Sequence, residues 1–136
     1  MSSRVSFEIR LAEGYQQAIE HVTGALKDEG FGILTRIDVD KTLKEKIGAD
    51  FRPYVILGAC NPPLAYKALS SEAEAGIMLP CNVTVEADPS GGATVRIGRP
   101  DVMLTAGGFD ANPVMQEVGS EAQARLERVV QALSEG

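Results

Sequence analysis

Val5, Phe7, Ile9 and Leu11 alternate with polar residues, the two-residue period of a half-buried strand. The period then lengthens. In GYQQAIEHVTGALKDEG, Tyr15, Ala18, Ile19, Val22 and Leu26 fall on one helical stripe, and Gly30 predicts the stop. FGILTRIDV predicts a second strand. DKTLKEKIG predicts a short helix with Asp40 as N-cap and Gly48 as its end. PYVILGA is a continuous apolar run of strand length and predicts a central strand buried on both faces.

Directly after that run come Cys60, Asn61, Pro62 and Pro63. Asparagine is a good N-cap and proline suits the first helical turn, so a helix is expected from here to about Gly76. Beyond Pro80, CNVTVEA and ATVRIG alternate as strands, and DPSGG between them has hairpin-turn chemistry. DVMLTA reads as a further strand. A closing helix is expected from a Ser120 cap, with Leu126, Val129, Val130 and Leu133 on one face. Strands joined by a hairpin late in the chain argue for a mainly antiparallel sheet covered by helices, an α+β fold, over a doubly wound parallel sheet. No repeat, linker or low-complexity tract divides residues 1–136, so one domain is expected.

Charge narrows the partners. Nineteen acidic against thirteen basic residues give a net charge of −6, a field that repels phosphate backbones, and no Lys/Arg cluster offsets it locally. Nucleic acid is therefore not an expected partner. No apolar run is long enough to span a membrane, and MSSRVSFEIR lacks the apolar centre of a signal peptide. A cytoplasmic location is the expectation, and there both cysteines would be reduced.

The two cysteines, in ACNPP and LPCNV, carry the candidate chemistry. Cys60 precedes a predicted helix start, where the dipole favours an anion by about 0.3–1 kcal/mol, too little by itself to make an activated nucleophile. Arg52 and Lys67 are the nearest basic residues in sequence. The sole histidine, His21, lies roughly 120° from the centre of its helix's apolar stripe, so a Cys-His or Ser-His pairing is not expected. Several readings stay open. Cys60 and Cys81 serve as small apolar fillers of the core, or they form a reversible disulfide. As metal ligands, two thiols could hold a soft ion such as Cu(I), or a dimer could pool four. In a last reading they line a ligand pocket, where Asn61 and Asn82 offer hydrogen bonds and helix-start amides offer an anion site. Other candidates are weaker. Isolated glycine pairs fall short of a phosphate loop, Glu72 and Glu74 do not face each other on a helix, and there is no tryptophan for a stacking platform.

ILGACNPPLAYKAL followed by GIMLPCNVTV resembles domain-of-unknown-function family 302. The pattern of Leu-Gly-x-Cys-x-Pro and then Leu-Ala falls on Leu57, Gly58, Cys60, Pro62, Leu64 and Ala65. Gly76, the apolar pair Met78–Leu79, and Pro80-Cys81-Asn82-Val83 complete it. The resemblance implies a two-layer α+β fold like that of the TATA-binding protein, with a β-α-β4-α order plus a short extra helix. It also implies a homodimer, and it implies no activity.

The combined reading is a binding module for a small ligand or a metal rather than an enzyme, with no catalytic residue assigned and no cofactor specified. Its expected site is Cys60, Asn61, Pro62, Pro80, Cys81 and Asn82, with Cys60 and Cys81 as the ligands if a metal is bound. The competing readings are a thiol redox protein built on a Cys60–Cys81 disulfide and a structural dimeric interaction domain.

Overall fold

In the computed structural model, which describes residues 5–135, the chain begins with β1 (Ser6–Leu11), α1 (Tyr15–Asp28), β2 (Gly32–Asp38) and α2 (Val39–Ile47). It continues through β3 (Tyr54–Cys60), α3 (Pro62–Ser71), a 3-10 turn at Ala73–Met78, β4 (Cys81–Ala87) and β5 (Ala93–Gly98). α4 (Pro100–Ala106), a second 3-10 turn at Phe109–Ala111 and α5 (Pro113–Glu135) complete it. The first four residues of MSSRVSFEIR, the stretch read as lacking a signal-peptide centre, lie outside the described residues.

The strands form one open sheet in the order β1-β5-β4-β3-β2, every neighbouring pair antiparallel. This is the expected α+β architecture. Alternation decides its two faces. Ile9 and Leu11, Val55, Leu57 and Ala59, Val83 and Val85, and Val95 and Ile97 are buried on one side, under α1 and the C-terminal half of α5. The opposite side carries charge. The Arg96 guanidinium donates to Glu8 (3.2 Å) and Glu86 (2.6 Å), and Arg52 donates to the other Glu86 oxygen. Burial alone would push the Glu86 carboxyl up, but the hydrogen bonds from Arg96 and Arg52 outweigh it and hold the group below the usual carboxylate range.

Several expectations are confirmed in detail. Gly30 (φ 86°) and Gly48 (φ 68°) end α1 and α2 in the left-handed region that glycine enters without a Cβ penalty. In the hairpin, Asp88 N–H donates to Gly92 O (2.8 Å) and Gly91 N–H to Asp88 O (3.0 Å).

Other expectations are corrected. DVMLTA is the helix α4, not a strand: Pro100 sits in its first turn, Asp101 follows, and Gly107 lies just past its end. Asp38, not Asp40, occupies the N-cap position of α2, without a side-chain capping bond, and the Asp40 carboxylate accepts from Tyr54 N–H (3.3 Å). β3 is second from the sheet edge, and Tyr54 and Ile56 are only half-buried, so the strand is not covered on both faces. The helix after Asn61 stops at Ser71, where Glu72 turns extended and a 3-10 turn takes over to Met78. α5 starts at Pro113, seven residues before Ser120. Asn112 Oδ1 accepts from Val114 N–H (2.9 Å) and Met115 N–H (3.3 Å), so Asn112 is the cap.

The early start of α5 gives the helix two tasks. Its C-terminal half, with Leu126, Val129 and Leu133, completes the main core. Its N-terminal half, with Met115 and Val118, closes a second, smaller cluster with Ala68, Ala75 and Phe109, flanked by Leu64, Met78 and Leu104. Gly119 permits this crowding, since a Cβ there would lie 2.2 Å from a Leu104 methyl.

Candidate functional site

The cysteines sit where the two clusters meet. Continuous pairing of β3 with β4 puts Ala59 directly opposite Cys81, and Cys60 pairs outward with Gly32 of β2. Cys81 therefore shares the helix-covered face with Val83 and Val85, whereas Cys60 is the last residue of its strand as the chain turns into α3. Both thiols are free and partly buried. Burial pushes the Cys81 thiol up, and the neighbouring Cys60 adds to the effect.

Two small apolar cavities flank Cys81. One, of about 70 Å³, lies between the end of the sheet and the second cluster, and its walls include Met78, Cys81, Met103, Leu104 and Met115. The other, of about 60 Å³, lies under the start of α3, with Phe31, Cys60, Leu64 and Cys81 among its walls. Ala68, Leu79, Cys81, Val118 and Ala122 belong to both, so the cavities adjoin across these five residues. No charged side chain lines either one among the described residues.

The other expected site residues divide between this interior and the sheet's opposite face. Asn61 is buried and occupied as a cap, its Oδ1 accepting from Leu64 N–H (3.3 Å) and its Nδ2 donating to Glu29 O (3.5 Å). Pro62 follows it in the first turn of α3. Asn82 is exposed and lines neither cavity. Pro80, joined to Leu79 by a cis peptide, packs where a Gly58 side chain would be: a Cβ on Gly58 would lie 2.8 Å from Pro80 Cγ and 2.2 Å from Thr35 Oγ1. The expectation of free amides at the start of α3 is overturned. Pro62 and Pro63 have no N–H, Leu64 N–H is held by Asn61 Oδ1, and Ala65 N–H by Asn61 O.

A polar groove of about 420 Å³ beside Asn61 has its charges paired internally, Lys67 with Glu117 (3.1 Å) and Arg125 with Glu121 (2.7 Å). His21 is bonded to Glu13 (2.6 Å) and lines neither cysteine cavity. No group of three or more His, Cys, Asp or Glu residues suited to a metal ion occurs among the described residues. No helix among them is long and apolar enough to cross a membrane.

Sequence reasoning named Met78 only as part of the family pattern and missed Met103 and Met115 altogether. The three come from a 3-10 turn, α4 and α5, and reach one cavity only through the tertiary fold. For Met103 and Met115 the signal was compositional: the sequence has four methionines, and all but Met1 meet here.

An open antiparallel sheet packed with helices, and an apolar double cavity with free thiols in its walls, define a small α+β domain. The chain belongs to the family described as domain of unknown function DUF302, whose model matches residues 7–133. Among solved structures it is similar to an uncharacterised conserved DUF302 protein from Bacillus stearothermophilus. The two share 29% identity over 96% of this chain and 99% of that one, with a TM-score of 0.82. No curated protein matches the chain.

Proposed function

We propose that the protein is a binding module for a small, uncharged, apolar molecule, received in the double cavity around Cys81. The observation that carries this reading is unfilled apolar space on both sides of one side chain, in an interior where space is normally filled. An enclosed apolar cavity of about 150 Å³ stays dry and admits benzene or xenon, and the two hollows here, which adjoin across Cys81, together approach that size. The absence of charged side chains in the walls among the described residues argues against a guest whose charge would stay unpaired there, because such a charge costs far more than the contacts return.

The thiol-redox alternative has one observation in its favour, that Cys60 and Cys81 line the same smaller cavity. Two others oppose it. The sheet register places Ala59, not Cys60, across from Cys81, and burial disfavours the Cys81 thiolate that exchange requires.

Benzene titration monitored by the methionine methyl signals of isotope-labelled protein tests the proposal. Saturable shifts at Met78, Met103 and Met115 are expected, and Ala122→Leu, which adds a branched side chain to the wall shared by both cavities, should abolish them. Unchanged spectra at saturating benzene, with the protein folded, would sink the reading. A native mass spectrum of the same sample should give the mass of a homodimer with both cysteines reduced.

A further inference from the structure

We propose that the larger cavity is also a site for a soft monovalent metal ion, Cu(I) or its analogue Ag(I), with the Cys81 sulfur and the Met78, Met103 and Met115 thioethers as the donor set. It shares its location and lining with the apolar guest proposed above but does not depend on that guest being bound.

The argument begins with how these sulfurs are assembled. Met78 ends a 3-10 turn, Cys81 opens β4, Met103 lies in α4 and Met115 in the first turns of α5. Four separate elements thus each bring one sulfur-bearing side chain to a single wall. Met103 is held at the end of the sheet: a Cβ on Gly98 would lie 2.7 Å from its Cε and 3.6 Å from its Sδ, so the thioether occupies the space the glycine leaves open. Methionine is a common filler of irregular gaps, and these residues could be only that. As fillers, however, they leave a space of about 70 Å³ unfilled between them.

Ligand chemistry then selects the ion. Thioether and thiolate are soft donors suited to Cu(I), whereas calcium, magnesium and manganese need oxygen donors that this wall lacks. Charge selects the valence. When the ion binds, the Cys81 S–H bond breaks, a metal–sulfur bond forms, and one proton leaves to solvent. No electron is transferred. A monovalent ion with one thiolate and three neutral thioethers leaves the cavity with no net charge. A divalent ion would leave one positive charge in an apolar interior.

The test is an anaerobic Cu(I) titration in competition with bicinchoninate, repeated with Ag(I) by native mass spectrometry. One ion per chain is expected, bound with loss of one proton. The variant Met78→Leu/Met103→Leu/Met115→Leu conserves volume and both cysteines, and it should lose on the order of 100-fold in affinity. Cys81→Ser should lose at least as much. Cys60→Ser, which alters only the adjoining cavity, should stay within about threefold of the parent. The proposal is overturned if the triple variant binds like the parent, if Cys60→Ser falls as far as Cys81→Ser, or if one ion bridges two chains. Should the triple variant fail to fold, the X-ray absorption spectrum of the Cu(I)-loaded parent decides. Three or four sulfur neighbours support the site, and two sulfurs or any nitrogen or oxygen neighbour refute it. Benzene shifts in a protein that ignores Cu(I) would refute the metal site alone. Silence to both probes would remove both readings.

Discussion

Gly58→Ala is the sharpest test of how the cysteine segments are held together. The new Cβ would lie 2.2 Å from Thr35 Oγ1 and 2.8 Å from Pro80 Cγ, both inside van der Waals contact. Overpacking of this kind costs about 2 kcal/mol, from a range of roughly 1–3. Alanine also restricts the unfolded chain, which returns about 0.7 kcal/mol. The net loss is therefore about 1.3 kcal/mol. A chain of 136 residues unfolds with an entropy near 0.29 kcal/mol per kelvin, so Tm should fall by about 4–5 °C. The two clashes differ in kind. Thr35 Oγ1 is removed by Thr35→Ala, whereas the Pro80 ring is fixed to the backbone. In the Thr35→Ala background the same Gly58→Ala change should cost no more than about 0.3 kcal/mol, a coupling of about 1 kcal/mol across the two strands. Differential scanning calorimetry of the four proteins in this cycle provides the measurement. A Gly58→Ala protein melting within about 1 °C of the parent, or a coupling near zero, would refute the reasoning.

Two further outcomes follow from groups already described. Asn61→Ala removes the acceptor for Leu64 N–H and should cost about 1 kcal/mol in urea denaturation, with Asn61→Ser recovering most of it. The Tyr15 hydroxyl is buried without a hydrogen-bond partner, and its pKa is pushed up to about 12, first by burial and then by the charges of Asp40 and Asp38. A raised pKa means that the unfolded chain ionises first. The associated stability is complete below pH of about 10 and is lost as pH rises towards about 12. Ultraviolet titration should show one of the three tyrosines ionising late, and Tyr15→Phe should remove that phase.

The sheet was legible because alternation is a local signal, and β1, β4 and β5 show it over six or seven residues each. The helix starts show where local reading succeeds and fails. Asn61-Pro62 was read as a cap with proline in the first turn, and the structure confirms it. Asn112-Pro113 carries the same signature and was passed over in favour of a Ser120 cap. Ser120 lies inside α5, next to Gly119, whose missing Cβ makes room for Leu104. The cysteines stood out as a pair, and their elements were placed correctly. That Asn82 and Pro80 line neither cavity while Met103 and Met115, far along the chain, join Met78 and Cys81 in one depends on strand parity and helix packing, which no short stretch encodes.

The division of labour along α5 has a consequence for traffic into the interior. The sheet and α1 are fastened to its C-terminal half, while α3, α4 and the two 3-10 turns lean on its N-terminal half. The smaller cluster is thus a separate unit of opening, able to loosen while the strands keep their hydrogen bonds. Amides of α3 and α4 should exchange with solvent well before those of β4. Entry to the space beside Cys81 would then be timed by the breathing of this lobe and not by global unfolding.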